Sequence, residues 1–236
     1  MKMKFLCKLL LVIFFLFYLN HSIADSLPDG NELAKSIRNT TPVENISLNA
    51  KIEVTLKNRK RISTDLIIET KLLSDDEFLM TYSIKPNNDD NFWQVIRKVG
   101  ESNKYKIKMK GEILAIGKEH QIGLEQSSFM LTDIGLEFLH WPFQKTVKKQ
   151  RRKSRSCHVL ESKTIEASKG NYNRVVSWVD IKSGAILAAD FFTSDGKLLK
   201  RFSVKGLTKK NGNWQVDELE MRNIREGTRS RLLIKY

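Results

Sequence analysis

The clearest pattern along the chain is alternation. From Ile46 to Lys57, the apolar Ile46, Leu48, Ala50, Ile52, Val54 and Leu56 are each followed by a polar residue. Twelve residues of period two predict a strand with one buried face, because successive side chains on a strand point to opposite sides of its sheet. Residues 58–61 read as the turn, and strands are expected again over 62–73, 78–84, 92–99 and 104–110, with a polar loop at 86–91. The last third reads as a meander, with strands at 173–181, 185–193, 197–207, 213–221 and 230–236. Its turns carry Ser183-Gly184, Asp195-Gly196 and Asn211-Gly212, which supply the positive φ that tight hairpins need.

Two stretches break the pattern. Leu33 and Ile37 fall four apart, so 29–38 is read as a short helix. Ile134, Phe138 and Trp141 fall at i, i+4 and i+7, which predicts a helix over 132–141 that Pro142 stops. The pattern as a whole predicts a mainly β (α+β) protein: a single domain with about ten antiparallel strands and two or three helices.

The first 24 residues are set apart from this domain. Lys2, Lys4 and Lys8 precede the unbroken apolar run Leu9–Leu19, and Ser22-Ile23-Ala24 ends in small residues. This is the layout of a secretory signal peptide, with cleavage expected after Ala24. Eleven apolar residues make about 16 Å of helix, too short for a hydrocarbon core of about 30 Å. The mature domain is therefore expected to span 25–236, to be soluble and monomeric, and to lie in the periplasm. Cys7 precedes the apolar run, which leaves Cys157 as the sole mature thiol and no internal disulfide.

Charge changes the picture next. The 41 Lys and Arg against 27 Asp and Glu give a formal net charge of +14, of which three leave with the signal peptide. An exported basic protein points away from nucleic acid and toward an anionic membrane surface or envelope partners. Much of the charge lies in one run, Lys145, Lys148, Lys149, Arg151, Arg152, Lys153 and Arg155, read as an exposed loop or the start of an edge strand. Within it, Lys148, Lys149, Arg151, Arg152, Lys153 and Arg155 are candidates for docking anionic head groups, at about 1 kcal/mol per charge near a membrane.

No catalytic constellation stands out. The chain lacks G-x-S-x-G, H-E-x-x-H, a Walker loop and any paired-cysteine motif. His120, His140 and His158 lack ligand spacing, so neither a metal nor a cofactor is expected. Asp180, Asp190, Asp195 and Asp217 are better explained by hairpin chemistry than by acid–base work. The protein is not expected to be an enzyme. What remains are bulky apolar residues on a large sheet. Packed into a core they need no further role. Around a cavity between a curved sheet and an overlying helix, they would line a site for a hydrophobic ligand. The candidates for that lining are Trp93, Ile134, Phe138, Trp141, Phe143 and Trp178.

Several pieces in order then resemble a known family. They are Ser156-Cys157-His158-Val159-Leu160-Glu161, Tyr172-Asn173-Arg174-Val175-Val176-Ser177-Trp178-Val179-Asp180, Asp190-Phe191-Phe192, Asp195-Gly196-Lys197-Leu198-Leu199-Lys200, Trp214-Gln215-Val216 and Glu220-Met221-Arg222-Asn223. With Phe129-Met130-Leu131-Thr132-Asp133 before them, they resemble the outer-membrane lipoprotein-sorting (LolA-like) proteins of bacterial envelopes. The resemblance implies a curved, open antiparallel half-barrel with helices lidding its concave face. It implies carriage of the acyl chains of lipoproteins or lipids, without covalent chemistry. A lipid- or lipoprotein-sensing regulatory domain of the same fold is the alternative.

Overall fold

The computed structural model describes residues 26–84, 91–117, 122–165, 172–210 and 213–236. The expected signal peptide at 1–24, His120 and most of the loop at 86–91 lie outside them. Helix α1 (Gly30–Arg38) starts where Asp29 caps it, its carboxylate accepting from the Asn31 and Glu32 N–H groups at 2.8 and 3.1 Å. Thirteen strands follow. The first six are β1 (Ile46–Thr55), β2 (Arg61–Leu72), β3 (Glu77–Ile84), β4 (Phe92–Lys98), β5 (Lys104–Met109) and β6 (Glu112–Ile116). The other seven are β7 (Phe143–Arg152), β8 (Arg155–Lys163), β9 (Tyr172–Asp180), β10 (Ile186–Thr193), β11 (Leu198–Lys210), β12 (Asn213–Asn223) and β13 (Thr228–Lys235).

All thirteen form one open antiparallel sheet in the order β6-β5-β4-β3-β2-β1-β13-β12-β11-β10-β9-β8-β7. It is two meanders, β1–β6 and β7–β13, zipped together where β1 pairs with β13. The expectation of about ten strands is corrected to thirteen, and three elements account for the difference. The basic run resolves into an edge strand, β7. β8 escapes a period-two reading because its two faces are both covered: Cys157, Val159, Leu160 and Ser162 are all buried. β6 is only five residues long.

The expected single helix over 132–141 is also corrected. It is a short α-helix, α2 (Leu131–Ile134), followed by a 3₁₀ turn (Glu137–His140). Leu136 between them sits at φ 56°, in the left-handed region, which breaks the helical path. Both pieces lie in the connection from β6 to β7. Those strands are the two edges of the sheet, so the connection has to run from one side of it to the other.

Candidate functional site

One face of the sheet is apolar almost from edge to edge. Alternation brings to it Ala50 and Ile52 of β1, Leu66 and Ile68 of β2, Trp93 and Val95 of β4, and Tyr105 and Ile107 of β5. From the second meander come Leu160, Tyr172, Val175, Phe191, Met221 and Leu232. The β6–β7 connection packs onto this face. Its Leu124, Phe129, Leu131, Phe138 and Leu139 are buried in the same cluster, beside Ala34 of α1. Phe138 meets Phe191 edge-on at 6.0 Å, Tyr172 meets Phe191 at 4.8 Å, and Trp141 lies 5.7 Å from Tyr172.

Polar side chains hold the connection down. The Ser128 N–H donates to Ser230 Oγ at 2.8 Å, and the Tyr105 hydroxyl donates to Glu137 Oε2 at 2.7 Å. Asn103 Nδ2 donates to the Gly135 carbonyl at 2.8 Å, and Gln144 Nε2 to the Phe138 and Trp141 carbonyls at 2.9 and 3.0 Å. At the centre, Asp133 takes the Lys200 ammonium and the Tyr172 hydroxyl, each at 2.5 Å. Lys200 is 2% exposed and also lies 4.5 Å from the Tyr172 ring. Burial draws its pKa down while Asp133 opposes that shift. Burial, with Asp133 beside it, pushes the Tyr172 hydroxyl well up. Among the described residues, Trp93 Nε1 on this face and Thr132 Oγ1 of α2 are buried without a hydrogen-bond partner.

The six lining candidates do not all meet. Trp93, Ile134, Phe138 and Trp141 come together in this cluster. Trp178 does not; it packs on a second, smaller cluster of Cys157, Leu187 and Val204. Phe143 is 55% exposed on edge strand β7. Cys157 is fully buried, and its thiol is pushed up by that burial and then by Asp180. The basic run is spread along one hairpin: Lys148, Lys149, Arg151 and Arg152 on β7, Lys153 in the turn, and Arg155 on β8. Arg152 stacks 4.7 Å over the Trp178 ring, and Arg155 pairs with Asp180 at 2.8 Å. His158 is held below its usual pKa by burial and by Lys149. Among the described residues, no group of three or more His, Cys, Asp or Glu is placed to hold a metal ion. No helix among them is long and apolar enough to cross a membrane.

A family model described as "Uncharacterized protein" matches residues 66–236. The chain belongs to that family. Solved structures give the fold. A DUF1329-family protein from Desulfovibrio piger is 16% identical, with a TM-score of 0.72 over 87% of this chain and 90% of its own. A putative outer-membrane lipoprotein-sorting protein domain from Vibrio parahaemolyticus is 14% identical, with a TM-score of 0.72 over 88% and 90%. A LolA-superfamily protein from Nitrosomonas europaea is 16% identical, with a TM-score of 0.59 over 89% and 93%. No curated protein matches the chain in sequence. The chain's fold is therefore LolA-like, as the ordered motifs of the second half imply.

Asp133, Lys200, Tyr172, Tyr105 and Glu137 were not among the candidates, although three of them lie inside the motifs that carry the resemblance. Lys200 and Asp133 stand 67 positions apart. Nothing in the local pattern of either residue signals the other.

Proposed function

We propose that the protein is a periplasmic carrier that shelters acyl chains of lipoproteins or lipids on the apolar face of its sheet, without covalent chemistry. One observation carries the reading: a continuous apolar face is covered by a connection that is not part of the sheet. Trp93, Ile134, Phe138 and Trp141 then line the site. If the connection moves aside, all thirteen strands keep their ladder hydrogen bonds while the face opens. Each methylene of an acyl chain taken up gains about 0.8 kcal/mol. The partnerless Trp93 indole N–H would meet an ester or amide carbonyl of the cargo, removing a desolvation penalty of about 1–3 kcal/mol.

Support for a curved, half-barrel sheet comes from α1. Its first residue is tight against β7, where a Cβ on Gly30 would lie 2.5 Å from Lys145 Cα. Its last residue accepts at its carbonyl from Arg97 of β4 at 2.9 Å. In a flat sheet, β4 and β7 would lie about 48 Å apart, at about 4.8 Å per strand. A helix of nine residues is about 14 Å long. Curvature closes that gap and forms the trough that an acyl chain needs.

The test is to purify the protein from its native envelope, identify what co-purifies by native mass spectrometry, and titrate the delipidated protein with a fatty acid. Bound acyl lipid is expected. So is a shift in tryptophan fluorescence that Trp93→Phe diminishes. Recovery of protein free of lipid, with no fluorescence response, would end the carrier reading.

A further inference from the structure

A concavity also lies beside the β7–β8 turn. The β7–β8 hairpin and strands β10 and β11 enclose a pocket of about 160 Å³, lined by Lys153, Arg155, Lys205, Leu187, Val204 and Leu207. Three cations from three elements converge on it, and three aliphatic side chains form the rest of its wall. Two of the cations have carboxylates: Arg155 pairs with Asp180 at 2.8 Å, and Lys205 with Glu220 at 3.3 Å. Lys153 is held below its usual pKa by burial, then by repulsion from Lys205 and Arg152, with Glu220 and Glu218 opposing that shift.

Arg152 and Arg155 form the last pair of the hairpin, so Lys153 and Ser154 make a two-residue loop. Both have positive φ, 48° and 62°. Such a loop is least strained as Asn-Gly. Arg59 and Lys110 also stand at positive φ, 65° and 53°, in the β1–β2 and β5–β6 turns, whereas Gly184, Gly196 and Gly227 fill that position in other turns. At this turn a lysine stands at positive φ at the rim of the pocket, with Lys205 and Arg152 as well as Glu220 and Glu218 acting on it. An anion bound among Lys153, Arg155 and Lys205 would offset the repulsion between these cations.

We propose that this pocket is a phosphate-binding site, with Lys153, Arg155 and Lys205 donating to the phosphate oxygens. Donors approaching from three elements suit a tetrahedral anion better than a planar carboxylate, which offers two oxygens in one plane. The phosphate comes either from a lipid headgroup, whose first carbons lie along Leu187, Val204 and Leu207, or from solution. The site is independent of whether the apolar face takes acyl chains.

Titration calorimetry on the purified protein separates these sources. The probes are inorganic phosphate, dihexanoyl-phosphatidylglycerol and dihexanoyl-phosphatidylcholine, the lipids below their micelle concentrations. Saturable 1:1 binding of a phosphate probe is expected, weakened about tenfold by Lys205→Gln and by Lys153→Asn. Asparagine tolerates positive φ, so the second variant keeps the turn, and a cooperative thermal transition with no lowered midpoint checks that both variants fold. Phosphatidylglycerol binding tighter than both other probes assigns the site to an anionic headgroup. Equal binding of inorganic phosphate and phosphatidylglycerol assigns it to free phosphate. No saturable binding of either anion, or binding indifferent to Lys153→Asn, overturns the proposal.

Discussion

Asp133 and Lys200 form an ion pair buried beneath the β6–β7 connection. A lysine and an aspartate, both buried, are tolerable only because each finds the other and the Tyr172 hydroxyl completes the set. Asp133 also accepts from the Met130 N–H at 3.2 Å, which ties the start of α2 to the same centre. Removing one ion from a buried pair leaves the other uncompensated, at about 3–5 kcal/mol. Lys200→Met is therefore expected to lower the free energy of unfolding in urea by that amount. The double variant Lys200→Met with Asp133→Asn should lose less than the sum of the single losses, because the two changes remove one shared interaction. Additive losses would mean that the pair is not coupled. Nothing at the residue scale of the sequence announces this pair. Lys200 sits in a strand rich in lysine, and only its burial distinguishes it from its neighbours.

At the scale of elements, periodicity was legible wherever one face of a strand is buried and the other is wet. β1 is the clearest case: its alternation was visible over its full length, and its boundaries were placed within two residues. β8 was not legible, because burial on both of its faces erases the period. The helix over 132–141 failed for another reason. Its spacing is helical, but Gly135 lies where a Cβ would come within 2.5 Å of the Tyr105 hydroxyl, and Leu136 turns left-handed to continue the chain. A contact from a distant strand overrides the local pattern there. Close backbone approach also fixes α1 on β7. A Cβ at residue 30 would meet the Gln144 carbonyl and the Lys145 backbone at 2.5 Å, atoms that cannot swing aside. Gly30→Ala should therefore push α1 off β7 and destabilise the fold by about 1–3 kcal/mol, the usual range for overpacking. Hydrogen exchange should quicken in α1 while the β12–β13 ladder stays protected. Unchanged exchange in α1 would contradict the account of that contact.

For the whole molecule, electrostatics sets the acid limit of stability. The Arg155 guanidinium, with Ser183 behind it, holds the Asp180 carboxyl at about 2, against the burial that would raise it. Glu161 is lowered despite burial by Lys163 and Arg174, and Glu220 likewise by Arg222 and Lys205. Each of these groups binds its proton less readily folded than unfolded. Their contribution is complete above the ordinary carboxylate range and is lost as pH falls from about 4 to about 2. Urea midpoints measured across that window should drop steeply, and more gently in Arg155→Met, whose Asp180 titrates nearer its unfolded value. An unchanged slope in the variant would remove Asp180 from the explanation.

The sequence by itself determined that the chain is mainly β and meandering, because alternation is a local consequence of burying one face of a strand. Its ordered motifs pointed to a LolA-like fold, which the structural neighbours share. It also located four of the residues that meet on the apolar face, since large aromatic and aliphatic side chains find a core wherever one forms. Only the tertiary structure decided what covers that face and which cations converge on a pocket. The covering follows from topology: the ends of one connection belong to opposite edges of an open sheet whose two meanders are joined through its first and last strands. The pocket follows from the side-by-side placement of a hairpin at 152–155 and a strand at 198–210. Both depend on pairings between residues far apart in the chain, and neither leaves a local period to read.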